Sequence, residues 1–193
     1  MKNFIPKAYL AAAFSSGCDS IKSKNIRSKT LSIFVSVGTH PQQFNRLLRE
    51  IDRLISEGRI TGNIFCQSGH SDYLPKNFPY KKFVPIDEFR SLLEKCDIFI
   101  THAGEGNIGL AKNLGKKFIA IARRKEFSEH TNNHQLELAQ VVEQKNLGLV
   151  AKSESEILQK IIELEDFSPA KIETGRIVQI LDAFTKKQLG EKL

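Results

Sequence analysis

The chain has 193 residues, 40% of them hydrophobic, which suits one packed domain and is too little for two of ordinary size. Its longest uninterrupted apolar run, Ala8 to Phe14, is far short of the ~20 residues that cross a bilayer, so no membrane span is expected. The formal charge of +7 is concentrated in residues 1–30, where Lys2, Lys7, Lys22, Lys24, Arg27 and Lys29 face Asp19 alone. The remainder is nearly neutral and lacks the basic residues interleaved with aromatics that mark a nucleic-acid binder.

Residues 1–30 read as a flexible basic extension, suited either to solvent or to an anionic membrane surface or acidic partner. Lys2 and Lys7 precede the apolar run, and Ser15-Ser16-Gly17-Cys18 resembles a lipoprotein cleavage box in outline. The run is short for a signal core and Ser15 stands where such a box takes Leu, so a cytoplasmic location is expected. Cys18, Cys66 and Cys96 are odd in number and have no metal-ligand spacing. Cys66 and Cys96 lie in or beside apolar segments and read as reduced core residues.

From residue 31 to 190 the pattern is that of a single domain in which strands alternate with helices. Leu31–Val37 is an apolar, β-branched run that stops at Gly38-Thr39-His40-Pro41, and Pro41 is placed to start a helix. Phe44, Leu47, Leu48, Ile51, Leu54 and Ile55 then recur at helical spacing. Asn63–Gln67 reads as a second strand and Lys82–Val84 as a short third. Asp87 is placed to cap a helix through Lys95. The fourth strand is expected at Asp97–Thr101 and the fifth at Lys117–Ala122. A helix from Asn132 to Lys145, a short strand at Gly148–Ala151 and a helix capped by Ser153 and running to Leu164 follow, with a closing helix over 168–190. Strands this apolar imply an α/β fold with a parallel sheet covered by helices on both faces. Ligands in such sheets bind beyond the carboxyl ends of the strands, where the Gly38, Gly69, Gly104 and Arg123–Gln135 loops fall.

Two of those loops carry the chemistry. His102-Ala103-Gly104-Glu105-Gly106-Asn107 follows a strand and opens a helix, so its backbone N–H groups suit a phosphate. Gly104 and Gly106 permit close approach, Asn107 suits either backbone or ligand, and His102 is either a donor to diphosphate or sugar or a structural imidazole. Asn132-Asn133-His134-Gln135 offers four consecutive bonding groups where a helix cap needs one, which suits the hydroxyls of a sugar. Glu129 and His130 stand beside them; Glu129 either joins the sugar or pairs with Arg123 or Arg124, and the arginines and Lys125 read as solvated loop charges. Together these loops suggest a nucleotide-sugar site. Gly104-Glu105-Gly106-Asn107-Ile108-Gly109 also matches the G-x-G-x-x-G dinucleotide fingerprint, and Arg123-Arg124 could hold a 2′-phosphate, which keeps an NADP-dependent reductase open. Against it stand the motif's place on the fourth strand, a short following helix and Arg123 where an acidic ribose ligand belongs. No D-x-D and no His/Cys/Asp cluster is present, so no metal and no cofactor is expected.

The segments IFVSVGTHPQQFNRLLREID, FVPIDEFRSLLEKCDIFITHAGEGNI and RRKEFSEHTNNHQLELA resemble the C-terminal domain of glycosyltransferase family 28. The closest likeness is to PssE-type subunits of bacterial exopolysaccharide and capsule transferases. The catalytic subunit of the dolichol-linked N-acetylglucosamine transferase is more distantly similar. The resemblance covers about Leu31 to Leu164 and implies a Rossmann-like domain, the donor-binding half of a GT-B fold. It implies a UDP-sugar donor, with His102, Gly104, Gly106 and Asn107 at the diphosphate, and Asn133, His134 and Gln135 at the donor sugar. Gly38 and Thr39 would then border the interdomain cleft, with His40 a weak candidate for the general base. Many relatives place a ribose-binding Glu eight residues after this His, where this chain has Leu110; PssE-type subunits tend to share that departure. The implied activity is inverting hexosyl transfer to a lipid-linked saccharide acceptor. The acceptor half, and with it the general base, would come from a membrane-anchored partner subunit that draws the chain to the cytoplasmic membrane face. A non-catalytic nucleotide-sugar-binding module is the alternative.

Overall fold

The computed structural model describes residues 30–171 and residue 179, so the basic extension and most of the expected closing helix lie outside the described residues. Six strands form one sheet: β1 Ser32–Ser36, β2 Asn63–Gln67, β3 Tyr80–Lys81, β4 Ile98–His102, β5 Phe118–Ile121 and β6 Leu149–Ala151. Among residues 30–171, five α-helices connect or follow them: α1 Asn45–Ser56, α2 Ile86–Lys95, α3 Glu105–Asn113, α4 His134–Gln144 and α5 Ile157–Asp166. The strand order is β3-β2-β1-β4-β5-β6 and every pairing is parallel. This is a Rossmann-like arrangement.

Alternation along each strand explains the two-sided cover. Ile33 and Val35 of β1, with Ile98 and Ile100 of β4, face one way and pack with Phe44, Leu47, Leu48 and Ile51 of the α1 region and Ile157 and Leu164 of α5. Phe34, Phe99, Phe118 and Ala120 face the other way, against Phe89 and Leu93 of α2, Ile108 of α3 and Leu138 and Val142 of α4. Phe34 sits centrally in that layer, with Phe99 and Phe89 centroids at 5.4 and 5.0 Å. Cys66 and Cys96 are buried free thiols in these cores, and burial raises both, Cys96 to about 11.

Several boundaries differ from the sequence reading, each for a visible reason. Helix α1 begins at Asn45 rather than at Pro41, because the carbonyls of Gln42 and Gln43 accept from the Arg123 guanidinium instead of from helical N–H groups. The third strand is Tyr80–Lys81, not Lys82–Val84: the N–H of Val84 is taken by the Gln67 side chain, at 3.1 Å. Pro85, not Asp87, holds the N-cap position of α2, and Asp87 lies in the first turn, where its charge still complements the helix dipole. Ser153 precedes a short 3-10 turn, Glu154–Glu156, and its hydroxyl meets that of Ser155 rather than a helical N–H. Residues 168–171 are not helical; the Ala170 N–H and the Ser168 carbonyl are bonded to Asn146.

Strand order, not chain order, locates the site. From β1 the chain builds outward through β2 to β3, then returns to place β4 on the other side of β1. The loops after β1 and β4 therefore diverge to opposite faces and leave a crevice at the sheet's carboxyl edge. Ser36 is in register with Thr101 and His102 with Ile121, so the ends of β1, β4 and β5 meet there.

Candidate functional site

His102, the last residue of β4, is the centre of the crevice. Its ring lies between Gly38 and Gly104: a Cβ on either glycine would overlap it, and Gly38 also has φ +79°. Burial, then the nearby charge of Arg123, push the imidazole down to about 3, against a bond to the Ser36 backbone. His102 is thus neutral at physiological pH, with Nδ1 3.4 Å from the Thr101 hydroxyl.

Helix α3 starts immediately after Gly104 with no side chain capping it. Its first internal bond runs from the Ile108 N–H to the Gly104 carbonyl, which leaves the N–H groups of Glu105, Gly106 and Asn107 without helical acceptors. Gly106 is exposed with open space where a Cβ would stand. Asn107 turns inward, its amide donating to Thr101 Oγ1 at 2.8 Å and Ser36 Oγ at 3.1 Å. Its amide nitrogen ties α3 to β4 and β1, so Asn107 positions the helix rather than offering that donor to a ligand.

The loop after β5 is held by a network the sequence reading did not assemble. Arg123 is fully buried, not solvated. Its Nη1 donates to the carbonyls of Gln42 (2.7 Å), Gln43 (3.1 Å) and Glu129 (3.0 Å), its Nη2 to Val37 (2.7 Å), and its face lies on Phe44. The partners are backbone carbonyls, so Arg123 cannot also grip a cofactor's 2′-phosphate, which removes that support for the reductase reading. Arg124 is partly covered and donates to the Lys152 carbonyl. Glu129 is buried too: Oε1 meets Arg46 Nε at 2.7 Å and Oε2 accepts from the Arg124 N–H at 3.0 Å. Arg46 also pairs with Glu154 at 2.9 Å. Glu129 therefore stands behind the loop as a scaffold, not in the crevice.

Of the four-residue polar run, Asn133 holds the N-cap position of α4 without a side-chain cap bond, and Asn132, one residue earlier, accepts from the His134 N–H at 3.1 Å. Asn133 is exposed and accepts from the Lys125 N–H at 3.0 Å, which folds the loop on itself. His134 is part-exposed, 3.2 Å from Glu137. Gln135 is 5% exposed, and its Oε1 accepts from the Arg123 N–H at 3.1 Å. Asn133 and His134 thus face outward, whereas Gln135 is largely turned into the protein. His40 and His130 stack across the crevice from the first and last loops, centroids 4.2 Å apart and planes 17° apart. Burial first, then for His40 the His130 ring and for both Arg123, lower these imidazoles as well. Thr39 is exposed at the crevice rim. The hollow of about 290 Å³ beside α1, lined by Gln43, Asn45, Arg46, Arg49, Phe127, Glu129 and Glu154, is separate from the His102–Gly104 crevice, and its Arg46 is already engaged.

The structure therefore joins Gly38, His40, His102, Gly104 and Gln135 through one cluster of rings and bonds around Arg123. Arg123 as its hub and the His40–His130 contact are not legible from residue spacing, because both join loops about 80–90 residues apart in the chain. The available signal was the absence of any spacer between the buried run Phe118–Ala122 and Arg123, which puts the arginine on the strand's end. Among the described residues no group of three His, Cys, Asp or Glu could hold a metal, and no helix is long and apolar enough to cross a membrane.

A doubly wound parallel sheet with loops gathered at its switch point defines the Rossmann-like class of fold, and solved structures share it. The glycosyltransferase of kitacinnamycin shares 16% identity, with 90% of this chain and 43% of that one covered and a TM-score of 0.54. Acinetobacter baumannii MurG also shares 16%, with 83% and 51% covered and a TM-score of 0.54. Streptomyces sp. SF2575 glycosyltransferase SsfS6, complexed with thymidine diphosphate, shares 13%, with 91% and 45% covered and a TM-score of 0.50. The chain spans about half the length of these proteins. Among curated proteins none matches it. Residues 32–188 match the glycosyltransferase family 28 C-terminal domain, and the chain belongs to that family.

Proposed function

We propose that this chain is the donor-binding subunit of a glycosyltransferase that uses a UDP-sugar. The observation that carries the reading is the uncapped start of α3 at the switch point, set between His102 and the open backbone at Gly106. A nucleoside diphosphate placed there meets the N–H groups of residues 105–107 and the positive end of the helix dipole, worth about 0.3–1 kcal/mol when exposed and more when partly buried. Family membership and a fold shared with proteins that include one bound to thymidine diphosphate support the same choice.

Transfer would proceed by in-line attack of an acceptor hydroxyl on the anomeric carbon, with inversion, as UDP departs. Charge that develops on the leaving diphosphate is met by fixed N–H dipoles, which strengthens the interaction in the transition state. Neutral His102 spends its one N–H on the Ser36 backbone, so it stands beside the diphosphate as an uncharged wall of the crevice. Asn133 and His134, on the exposed part of the second loop, would read the sugar's hydroxyls. No metal or cofactor enters the scheme.

The chain spans about half of the glycosyltransferases it matches. In this reading the acceptor side comes from a second, membrane-anchored subunit of the PssE-associated kind. That subunit holds a lipid-linked saccharide, supplies the general base or leaves it to His40, and keeps the complex on the cytoplasmic membrane face in polysaccharide synthesis. Calorimetric titration of the purified chain with UDP and with NADPH tests the donor site: UDP should bind, and NADPH binding without UDP would reverse the assignment to a reductase. Transfer to a lipid-linked acceptor should appear only when the partner is added; full activity of the chain alone would refute the subunit reading. No transfer with any UDP-hexose in the presence of the partner, despite UDP binding, would favour the non-catalytic module.

A further inference from the structure

We propose that Arg123 is the positioning residue of the crevice: its guanidinium fixes the spacing between the loop after β1 and the loop after β5, so ligand binding depends on it although it touches no ligand. Its ligand arm rests on the donor-site reading above. The spacing arm does not.

A buried guanidinium needs compensation, and proteins usually provide a carboxylate. Here the direct partners are four backbone carbonyls from two loops: Val37, Gln42 and Gln43 after β1, and Glu129 after β5. The residue's own N–H holds Gln135 at 3.1 Å, so the donor-sugar end of the second loop is attached as well. No other described side chain bonds both loops at so many points. The planar fork suits this task, because its five N–H groups point in fixed, divergent directions. A lysine ammonium keeps the charge at one point and cannot reach four carbonyls spread around a plane. Nε is buried without a partner, a cost that marks the fork's placement as set by the carbonyls rather than by satisfaction of every donor.

The loop spacing has a built-in reporter. His40 rides on the first loop and His130 on the second, and their stacking at 4.2 Å exists only if the loops keep this separation. With five histidines in the chain, their ring protons are resolvable by NMR.

The experiment compares the full chain with Arg123→Lys and Arg123→Met by histidine ring-proton NMR, UDP titration calorimetry and thermal denaturation, below the melting temperature of each. In Arg123→Lys, the His40 and His130 protons should lose their mutual ring-current shift while His70, whose ring packs on Phe83 at 5.1 Å, stays put, and UDP affinity should fall at least tenfold. Arg123→Met should do the same; if it does not fold, the lysine variant alone decides. A lysine variant that melts lower but keeps the His40 and His130 shifts overturns the proposal, because the guanidinium then serves stability alone. Lost stacking with UDP affinity within twofold of wild type overturns it too. If the unaltered chain does not bind UDP, the donor-site reading fails, and the ring-proton shifts still decide whether Arg123 sets the loop spacing.

Discussion

Gly104 and Gly106 stand two residues apart, yet the structure assigns them opposite consequences when a methyl group is added. At Gly104 the backbone is ordinary, φ −100° and ψ 134°, so alanine brings no conformational strain. Its Cβ would overlap the imidazole of His102, however, and that ring is hemmed in on its other side by Gly38. The ring or the start of α3 must move, a form of overpacking that costs about 1–3 kcal/mol. At Gly106, inside the first turn of α3, a Cβ meets nothing within 4 Å. Alanine is the better helix former by about 0.5–1 kcal/mol in a helix interior, and somewhat less this close to the end. Gly106→Ala should therefore raise Tm by about 1–3 °C, whereas Gly104→Ala should lower it by several degrees. If the diphosphate rests against the backbone of residues 105–107, the same methyl that stabilises the helix intrudes on the ligand. Gly106→Ala should then weaken UDP binding about tenfold or more while melting higher. Differential scanning fluorimetry and calorimetry on the two variants read both effects. A Gly106→Ala protein that gains stability and binds UDP like the wild type would refute the placement of the ligand at this helix start.

Three other outcomes follow from the same geometry. Glu129→Gln removes the buried anion that Arg46 and the Arg124 N–H share, while Arg46 keeps Glu154, so the loss in urea denaturation should be about 1.5–3 kcal/mol; a loss under about 0.5 kcal/mol would mean that Glu129 is not a scaffold. His134→Ala removes only a part-exposed contact with Glu137, so stability should change by less than about 0.5 kcal/mol, whereas affinity for the UDP-sugar but not for UDP itself should fall. Stability should also decline with acid. His102 is held at about 3 in the fold and returns to its ordinary value of about 6.5 on unfolding, so below that pH the unfolded state binds the extra proton. The loss should begin near pH 6.5 and deepen by up to about 1.4 kcal/mol per pH unit towards 3, with His40 and His130 acting in the same direction. Asp52 behaves oppositely in origin: burial would raise its carboxyl, but bonds from Tyr73, Lys76 and Asn77 outweigh this and hold it low, so its contribution is lost only below its ordinary range. A urea midpoint that is flat between pH 7 and 5 would contradict a neutral, partly buried His102.

The parts of this fold that were legible beforehand are those written in consecutive apolar residues. β1, β4 and β5 are buried on both faces, so each shows as a hydrophobic run with turn residues at its end. Pro41 misled because helix initiation depends on where the neighbouring carbonyls point, and those of Gln42 and Gln43 are claimed by Arg123 from 80 residues away. β3 lies just before the expected Lys82–Val84, because a strand of two residues has too little pattern to fix its position. In the site, glycines adjoining a strand end were readable as a close-approach loop, but not that two of them close on the same imidazole. Gln135 resembled its polar neighbours in sequence, yet the first turn of α4 swings it under the loop to meet the Arg123 N–H, while Asn133 stays outside. Burial of a charge such as Arg123 is invisible to composition, since an arginine inside a carbonyl cage and one in water carry the same letter.

The most direct test is a crystal structure of the chain with UDP. The diphosphate should lie on the N–H groups of residues 105–107, within reach of the His102 ring, with Asn133 and His134 opening towards the position of the missing sugar. UDP seated in the hollow beside Arg46 and Arg49, or anywhere away from the start of α3, would contradict the account.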